Sequence, residues 1–512
     1  MAELTEDKFH DECAVFGCVV ATASTDFELS SSIAMGLTGL QHRGQESTGI
    51  VTGGKNSFSP LNQIKGMGLV SQVYNSENLG RLTGVAGIGH NRYSTSGKSE
   101  LSNCQPFIVN MQYGAMAVAH NGELVNKKVL RKEILARGVG LSTSSDSELL
   151  TQIMCLPLDS ENGQINIADR IKGLMKRSPT SYSMLVLHSG AVYAARDPYG
   201  NRPLCLGKVL DNAPSLTGDK NPSVEAYVVS SESCVFQSLG AALIRDVNPG
   251  EVVKIDSSGF TTMGSIVPRP DGSAYSAFCI FEYVYFSRMD SVYDSNTVYN
   301  ARRDSGIMLA IEAPVQADFV STVPNSATPA AIGFSRQSGI KYEDVLAKNS
   351  YIGRTFIKPT QRLRKLAVEQ KFGVIRDNVR GKRIVLVDDS IVRGTTMQCI
   401  IKMLRKGGAT EVHVRIASPP VRSPCYMGIN IPTSDELLAN NTHADDIAGF
   451  LNADSVQYLS LKGLLHAVRG PAHEDGLVGE NGVSKLKVGK TSKKVGHCTA
   501  CLTKNYPVKL EW

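Results

Sequence analysis

The chain lacks most features of exported, membrane-spanning and nucleic-acid-binding proteins. No apolar run approaches the roughly 20 residues that a membrane-spanning helix needs. Residues 1–12 are acidic, without the basic and apolar regions of a secretory signal or the arginine-rich character of a transit peptide. The net charge of +6 is small for 512 residues and provides no indication of a concentrated basic face. We therefore expect a cytosolic protein that binds small anionic molecules, with no nucleic-acid or membrane partner.

Length and composition are those of an ordinary multidomain globular protein. The chain is 42% hydrophobic and 20% charged, which suggests neither extended disorder nor a fibre, and 512 residues predict two or more domains. Its eleven cysteines are scattered and odd in number. Without an export signal, such cysteines are expected to be thiols, ligands or a nucleophile rather than a disulfide framework. A segment rich in Pro, Gly and Ser at 268–276 predicts a domain boundary.

The most informative stretch is 385–396, which reads V-L-V-D-D-S-I-V-R-G-T-T. The β-branched run at 384–387 predicts a buried parallel strand, and helical spacing after the loop predicts a helix that ends at a glycine pair. Ligands of open α/β sheets bind at the carboxyl ends of the strands. The loop offers backbone N–H groups and hydroxyls to a phosphate. The carboxylates of Asp388 and Asp389 suit ribose hydroxyls or Mg²⁺.

This run resembles the 5-phosphoribosyl-1-pyrophosphate (PRPP) loop of the type I phosphoribosyltransferases. Two adjacent acids alone would suggest only a strand that ends before a helix cap, but the full run in a strand–loop–helix context favours the PRPP loop. The resemblance implies that Ser326, in a polar turn after a strand near Val320, joins Asp388 and Asp389 around Mg²⁺. It also implies that PRPP is bound by Asp388, Asp389, Ser390, Arg393, Gly394, Thr395 and Thr396.

The first half of the chain supplies the parts of a glutamine amide hydrolase. Cys13 precedes a strand-like run, and later polar clusters (L-Q-H-R-G-Q-E-S, H-N-R-Y, A-H-N-G-E-L-V and T-S-S-D-S-E) also follow strand-like runs, so their loops are expected to converge. Cysteine is a strong nucleophile at neutral pH. Arg92 could hold an α-carboxylate, Asn121 and the Gly122 N–H could form an oxyanion hole, and Asp146 could bind an α-ammonium group.

Cys13 needs a base, and no His/Asp pair is an obvious partner in the sequence. A cysteine at the first position could use its own α-amino group, whose reference pKa is about 7.7–8.0. This hypothesis requires the removal of residues 1–12 as a propeptide. Taken alone, Cys13 could instead be a buried structural cysteine, which is the role expected for six others: Cys18, Cys104, Cys155, Cys205, Cys234 and Cys399.

Together these motifs resemble the class II (N-terminal nucleophile) glutamine amidotransferases. The whole chain, including R-D-P-Y-G-N-R-P-L at 196–204, resembles the glutamine phosphoribosylpyrophosphate amidotransferase family. The resemblance implies a four-layer αββα domain at 13–267 and a parallel-sheet phosphoribosyltransferase domain at 277–470. The fold class of the first domain is then α+β, and that of the second is α/β. It implies conversion of glutamine, PRPP and water to 5-phosphoribosylamine, glutamate and pyrophosphate, the first committed step of purine synthesis. Purine nucleotides as inhibitors and a homodimer or homotetramer are implied as well.

The tail at 471–512 begins as a polar, glycine-rich spacer and carries a C-x-x-C pair, Cys498 and Cys501. Such a pair could be redox-active, half of a zinc site, half of an iron–sulfur site or unligated. The family resemblance implies that Cys279 and Cys425 complete a [4Fe–4S] site with this pair.

The basic stretch at 348–364 is either a solvated loop or a lid. The resemblance favours a lid that closes over PRPP, in which Arg354 stabilises pyrophosphate and the loop forms part of a closed ammonia path. Two other functions remain open. One is the same glutaminase with another acceptor, such as a sugar phosphate or aspartate, and the other is a non-catalytic PRPP sensor.

Overall fold

The computed structural model describes residues 13–22, 27–93, 99–158, 161, 165–211, 223–349, 368–429, 431, 433–442, 446–469 and 495–510. The predicted propeptide at 1–12, the lid residue Arg354 and the spacer at the start of the tail lie outside these residues. Within the described part of the chain, no helix is both long enough and apolar enough to cross a bilayer.

Two antiparallel sheets form the first half of the chain. The first sheet has seven strands, in spatial order Ala241–Asp246, Cys205–Leu210, Val224–Ser230, Ala14–Val20, Ala86–Arg92, Ser47–Gly53 and Asn62–Met67. The second sheet has six strands, in spatial order Gly259–Thr262, Val252–Asp256, Ala191–Arg196, Tyr182–His188, Gly114–Gly122 and Phe107–Met111. All neighbouring strands in both sheets pair antiparallel. Some neighbours are consecutive in the chain, such as Tyr182–His188 and Ala191–Arg196, whereas others pair over long distances, such as Ala14–Val20 and Val224–Ser230.

The alternation of side chains along the strand Ala14–Val20 shows how the layers stack. Val15 and Val19 point into the apolar core between the two sheets, whereas Phe16 and Cys18 pack on the outer side with the helix Leu29–Gly39. Three helices cover the outer face of the second sheet in the same way: Lys127–Ala136, Asp146–Cys155 and Ile167–Arg177. The four-layer αββα prediction is therefore confirmed.

The second half is built on a parallel sheet with helices on both faces. Its four strands are, in spatial order, Phe319–Thr322, Arg383–Asp388, Glu411–Ile416 and Ser455–Tyr458. Val385 and Val387 pack on one face, and Ile384 and Leu386 pack on the other. The buried parallel strand predicted at 384–387 is thus confirmed. The longer helices around this sheet are Val298–Glu312, Thr328–Ser338, Thr395–Gly407 and Leu461–Val468.

Short elements complete the described chain. The paired short strands are Val292–Tyr293 with Asn296–Thr297, Leu346–Lys348 with Phe372–Val374, and Phe278–Cys279 with His497–Cys498. The last pair is parallel and brings the end of the chain beside the beginning of the second half. The short helices are Val70–Val73, Ser76–Leu79, Arg376–Val379, Leu438–Asn441, Ile447–Leu451 and Ala500–Thr503, with a π-helical turn at Glu282–Phe286.

Candidate active sites

Cys13 lies immediately before the central strand of the first sheet. Pairing of that strand with Ala86–Arg92 places Ala14 opposite Asn91 and brings the Cys13 Sγ within 3.5 Å of the Tyr93 carbonyl oxygen. Burial raises the pKa of the Cys13 thiol to about 11, although the charge of Arg92 and the Tyr93 contact act in the opposite direction. The thiol is therefore neutral at neutral pH, so a base must remove its proton before it attacks a carbonyl.

Arg92 and Asp146 both lie close enough to Cys13 for their charges to act on its thiol. Arg92 ends its strand, is 4% exposed and donates to Glu46 at 2.5 Å. Asp146 opens a helix on the other sheet, and its Oδ2 accepts a hydrogen bond from the Leu124 N–H at 3.1 Å. The predicted cationic and anionic groups therefore meet at the predicted nucleophile. Glu46 had no predicted role, although it stands in the L-Q-H-R-G-Q-E-S motif.

Asn121 and Gly122 end the strand Gly114–Gly122 of the second sheet. The Asn121 side chain is fully buried, and within the described part of the chain neither its amide nitrogen nor its amide oxygen has a hydrogen-bond partner. Gly122 has a φ of +134°, and a Cβ there would stand 2.1 Å from the Ser181 carbonyl oxygen. A buried donor without a partner is costly unless a ligand supplies one. The position therefore suits a developing negative oxygen.

His90 and His120 are buried near this site. Burial lowers the pKa of His90 to about 3, and burial also lowers the pKa of His120. The Nε2 of His90 lies 3.1 Å from the His120 carbonyl oxygen, and the Nδ1 of His120 lies 3.1 Å from the Ser147 hydroxyl. The His90 side chain thus links the two sheets, and the His120 side chain links the second sheet to the helix Asp146–Cys155.

The two acids of the predicted PRPP loop lie at the carboxyl end of the second strand of the parallel sheet. Asp388 and Asp389 are 3% and 2% exposed. Ser390 donates to Asp389 Oδ1 at 2.6 Å, and the Ser326 hydroxyl donates to Asp389 Oδ2. Ser326 and Asp389, which the family resemblance places around Mg²⁺, are thus in contact across 63 residues. These are hard oxygen donors, which Mg²⁺ prefers.

The rest of the loop turns into a helix at Gly394. This residue has a φ of +85°, and the helix starts at Thr395 and Thr396 and ends at Gly407, so the predicted strand–loop–helix unit is confirmed. Arg393 donates to Glu436 at 3.1 Å. The loop therefore presents backbone N–H groups and two threonines at the positive end of a 13-residue helix, the arrangement that binds phosphate.

Four cysteines converge where the end of the chain meets the second half. Cys279 and Cys498 stand opposite one another in paired parallel strands. Burial is the main cause that raises the pKa of the Cys501 thiol, and the nearby Cys425, Cys279 and Cys498 raise it further. Three of the thiols are buried and Cys425 is partly exposed. Across the described ranges, however, no group of three or more His, Cys, Asp or Glu side chains is arranged to hold a metal ion.

A buried charge cluster, formed by Arg43, Arg202, Glu232 and Glu282, joins the two halves. Each of these side chains is at most 1% exposed. Arg43 bonds Glu282 through two contacts of 2.8 Å and Glu232 through one of 2.6 Å, and Arg202 reaches Glu282 at 3.3 Å. Burial alone would raise the pKa of Glu282, but Arg43 and Arg202 hold it below its usual range. Sequence reasoning missed this cluster.

Comparisons with known proteins identify relatives along the whole chain. A glutamine amidotransferase domain model matches residues 90–214. The chain is 50% identical to the amidophosphoribosyltransferase of Rattus norvegicus and 51% identical to that of Homo sapiens, with 100% of each chain covered. The relative from Archaeoglobus fulgidus is 43% identical over 96% of this chain and 98% of its own.

Solved structures support the same comparison. The glutamine PRPP amidotransferase from B. subtilis, complexed with ADP and GMP, superposes with a TM-score of 0.80 at 38% identity and 98% coverage of both chains. A structure described as the allosteric regulatory enzyme of purine biosynthesis gives a TM-score of 0.82, also at 38% identity, over 98% of this chain and 97% of that one.

Proposed function

The chain belongs to the amidophosphoribosyltransferase family, and we propose that Cys13 and the loop around Asp388 and Asp389 are its two reaction centres. It converts glutamine, PRPP and water to 5-phosphoribosylamine, glutamate and pyrophosphate in purine biosynthesis. The observation that carries the site assignment is that one chain holds both a cysteine within reach of the charges of Arg92 and Asp146 and a diacid loop at a helix start.

At the first centre, Cys13 Sγ attacks the amide carbon of glutamine. Because burial raises the pKa of the thiol, the α-amino group exposed by removal of residues 1–12 takes the proton and passes it to the leaving ammonia. The Asn121 amide and the Gly122 N–H stabilise the oxyanion, and water then releases glutamate. Arg92 binds the α-carboxylate of glutamine, and Asp146 binds its α-ammonium group.

At the second centre, ammonia attacks C1 of PRPP and pyrophosphate leaves. The helix start at Thr395 and Thr396 holds a phosphate group, and the carboxylates of Asp388 and Asp389 hold the ribose hydroxyls or the cation. Mg²⁺ fits the oxygen donors of Asp388, Asp389 and Ser326, and when bound it neutralises charge on the leaving pyrophosphate. Ser390, Arg393 and Gly394 complete the loop. Arg354 as a lid residue, and its loop as part of the ammonia path, stay predictions because they lie outside the described residues.

We also propose that Cys279, Cys425, Cys498 and Cys501 bind a [4Fe–4S] cluster. The support is that four thiols from three distant segments approach one another in a largely buried site. The reaction has no redox step, so the cluster is structural or regulatory. Iron and sulfide assays on anaerobically purified protein test this. About four of each per chain are expected, with loss in Cys425→Ser and retention in Cys399→Ser, which alters a thiol outside the group.

Purine nucleotides are proposed as feedback inhibitors, because the B. subtilis relative was solved with ADP and GMP. A homodimer or homotetramer is proposed from family membership, and a cytosolic location stays a prediction from the sequence. Inhibition of product formation by added AMP, ADP or GMP would support the first proposal, and the mass of the protein in solution would test the second.

The function is tested by measuring glutamate and pyrophosphate together, from anaerobically purified protein given glutamine, Mg²⁺ and PRPP. Equal amounts of both products are expected. Cys13→Ala should abolish both with glutamine and retain pyrophosphate release with ammonia, because only the first centre needs the thiol. Glutamate without pyrophosphate would indicate another acceptor, and PRPP binding with neither product would indicate a sensor.

A further inference from the structure

Two buried polar side chains on neighbouring strands of the second sheet point the same way. Asn121 and Ser183 stand directly opposite one another in the pairing of these strands. Ala119, two residues before Asn121, and Leu185, two residues after Ser183, both pack in the core between the two sheets. Because side chains alternate along a strand, Asn121 and Ser183 also face the space between the sheets. The Ser183 hydroxyl therefore lies beside the amide that we assign to the oxyanion hole.

The hydrogen-bonding atoms of both side chains are buried and unused. Asn121 and Ser183 are each 0% exposed. Across the described ranges, the Ser183 Oγ and the two polar atoms of the Asn121 amide have no hydrogen-bond partner. A buried polar group left without a partner destabilises the folded state. An alanine at position 183 would avoid this penalty, so packing alone does not account for a serine there.

The other neighbours of Ser183 are either engaged or apolar. Arg196, which stands opposite Ser183 on the other flanking strand, donates from all three side-chain nitrogens to backbone carbonyl oxygens at 2.8–2.9 Å. Ser181, two residues earlier, donates to a side-chain amide oxygen at 2.7 Å. Leu185, two residues later, offers no polar atom in its side chain. Among these neighbours, Asn121 is therefore the one that the Ser183 hydroxyl can serve.

Rotation of the two side chains is enough to bring them into contact. The Cβ atoms of residues directly opposite one another in an antiparallel pair are about 4.5–5.5 Å apart. A serine hydroxyl can donate one hydrogen bond, and an asparagine amide has one acceptor oxygen and a nitrogen with two donors. A bond from the Ser183 hydroxyl to Asn121 Oδ1 would occupy the acceptor and leave Nδ2 free to donate elsewhere.

We propose that Ser183 is a positioning residue whose hydroxyl donates to Asn121 Oδ1 when glutamine binds, so that Nδ2 points at the developing oxyanion. The inference rests on the proposed role of Asn121 in the oxyanion hole. Without this bond the amide can turn its oxygen towards the oxyanion and repel it. A donor that is already oriented stabilises the transition state without reorganisation during the reaction. Ser183 thus raises kcat for glutamine hydrolysis through Asn121 and touches no substrate atom itself.

The test is a double-mutant cycle of Ser183→Ala, Asn121→Ala and the double variant. Glutamate release is measured over a range of glutamine concentrations with Mg-PRPP present, and pyrophosphate release is measured with ammonia. Thermal unfolding gives the Tm of each variant. Ser418→Ala is the matched control, because Ser418 is also 0% exposed and its hydroxyl has no partner among the described residues, but it lies beside the parallel sheet of the second half.

Ser183→Ala should lower kcat for glutamine hydrolysis about 5- to 10-fold, the effect of one neutral hydrogen bond made only in the transition state. The KM for glutamine and pyrophosphate release with ammonia should stay within about twofold, and Tm should be unchanged or higher. Added to Asn121→Ala, Ser183→Ala should lower kcat no further, because no amide remains to be oriented. Ser418→Ala should hydrolyse glutamine like the wild type.

A second substitution keeps the test open if Ser183→Ala does not fold. Ser183→Cys keeps the size of the side chain and a weak donor. Its kcat should fall between those of the wild type and Ser183→Ala, with the same KM for glutamine. Its effect should also vanish when it is combined with Asn121→Ala.

Three results would overturn the role of Ser183 while leaving the two reaction centres in place. They are an unchanged kcat in Ser183→Ala, an equal further loss when Ser183→Ala is added to Asn121→Ala, and a loss of kcat that comes with a lower Tm and an equal loss of ammonia-dependent pyrophosphate release. By contrast, full glutamine hydrolysis in Asn121→Ala would contradict the proposed oxyanion hole, and a wild type that releases no glutamate would contradict the proposed function itself.

Discussion

The two reaction centres are built in opposite ways. Cys13, Arg92, Asn121 and Asp146 come from four separate segments, three at strands of the two sheets and one at a helix start, and depend on tertiary packing for their arrangement. The diacid, the loop and the helix start of the PRPP site come from one run, 388–396, at the end of one strand. The geometry of a contiguous motif is set largely by its own strand, loop and helix. A site assembled from separate segments depends on the surrounding fold to position each residue.

This difference shows in how the polar groups are held. At the glutamine site, Arg92 is paired with Glu46 and Asp146 accepts from Leu124, so partners from distant segments pre-position both groups. At the PRPP loop, Asp389 accepts from its neighbour Ser390, and Ser326 and Glu436 are partners from other segments. Substitutions should therefore separate the two half-reactions cleanly, and the following predictions run from the largest effect to the smallest.

Asp389→Asn should have the largest effect on the second centre. It removes one charge from the diacid while keeping the shape of the side chain. Pyrophosphate release should fall about 100-fold or more with either glutamine or ammonia as nitrogen donor, since charge stabilisation at the leaving group is weakened. Steady-state pyrophosphate release checks this, with Asp290→Asn as the control on the exposed surface. Loss with glutamine alone would contradict the assignment.

Asn121→Ala should have the opposite pattern, with loss of glutamine hydrolysis at the first centre and no loss at the second. Removing one oxyanion-hole donor typically lowers kcat about 100- to 1000-fold. We expect that loss in kcat for glutamine hydrolysis, a nearly unchanged KM for glutamine, and full pyrophosphate release with ammonia. Asn121→Asp should be equally inactive, because a carboxylate repels the oxyanion. Retained glutamine hydrolysis in both variants would show that Asn121 only fills space.

The pH dependence should distinguish the base from the nucleophile. Burial raises the Cys13 thiol pKa to about 11, so thiolate formation contributes little at neutral pH. The α-amino group must be unprotonated to act as base, so kcat/KM for glutamine should rise with pH through about 7.7–8.0 and then level off. Below that range, the rate should fall about tenfold per pH unit. A profile that keeps rising towards pH 11 would make the thiolate the reacting form.

The contiguous run was almost fully predictable from sequence. The strand, the diacid, the helix start and the helix end all follow from side-chain periodicity and glycine placement within about 25 residues. The residues of the glutamine site were predictable from sequence motifs, but the acidic partners of its arginines were not. The Glu46–Arg92 pair joins residues 46 positions apart, and the Glu282–Arg43 pair joins residues 239 positions apart. Contacts over such separations leave no periodic pattern in the sequence.

The glycines of the two centres should differ in their effect on stability. A Cβ at Gly122 would stand 2.1 Å from the Ser181 carbonyl oxygen, whereas at Gly394 its nearest neighbour would be the end of the Leu438 side chain at 3.0 Å. Both have positive φ, so each alanine costs strain of about 1–3 kcal/mol. Gly122→Ala should lower Tm more than Gly394→Ala does, because the Ser181 backbone cannot move away from the new Cβ as easily as the Leu438 side chain can. An equal or smaller loss for Gly122→Ala would contradict the close approach.

The central claim is that nitrogen passes from the Cys13 centre to the PRPP centre inside one protein. The direct measurement gives the enzyme PRPP, Mg²⁺ and glutamine labelled with ¹⁵N in the amide, in a large excess of unlabelled ammonium, and reads the isotope in the trapped 5-phosphoribosylamine. We predict that the product carries mostly ¹⁵N, and that Cys13→Ala makes unlabelled product only. Product labelled in proportion to the bulk ammonia would contradict transfer between the two centres.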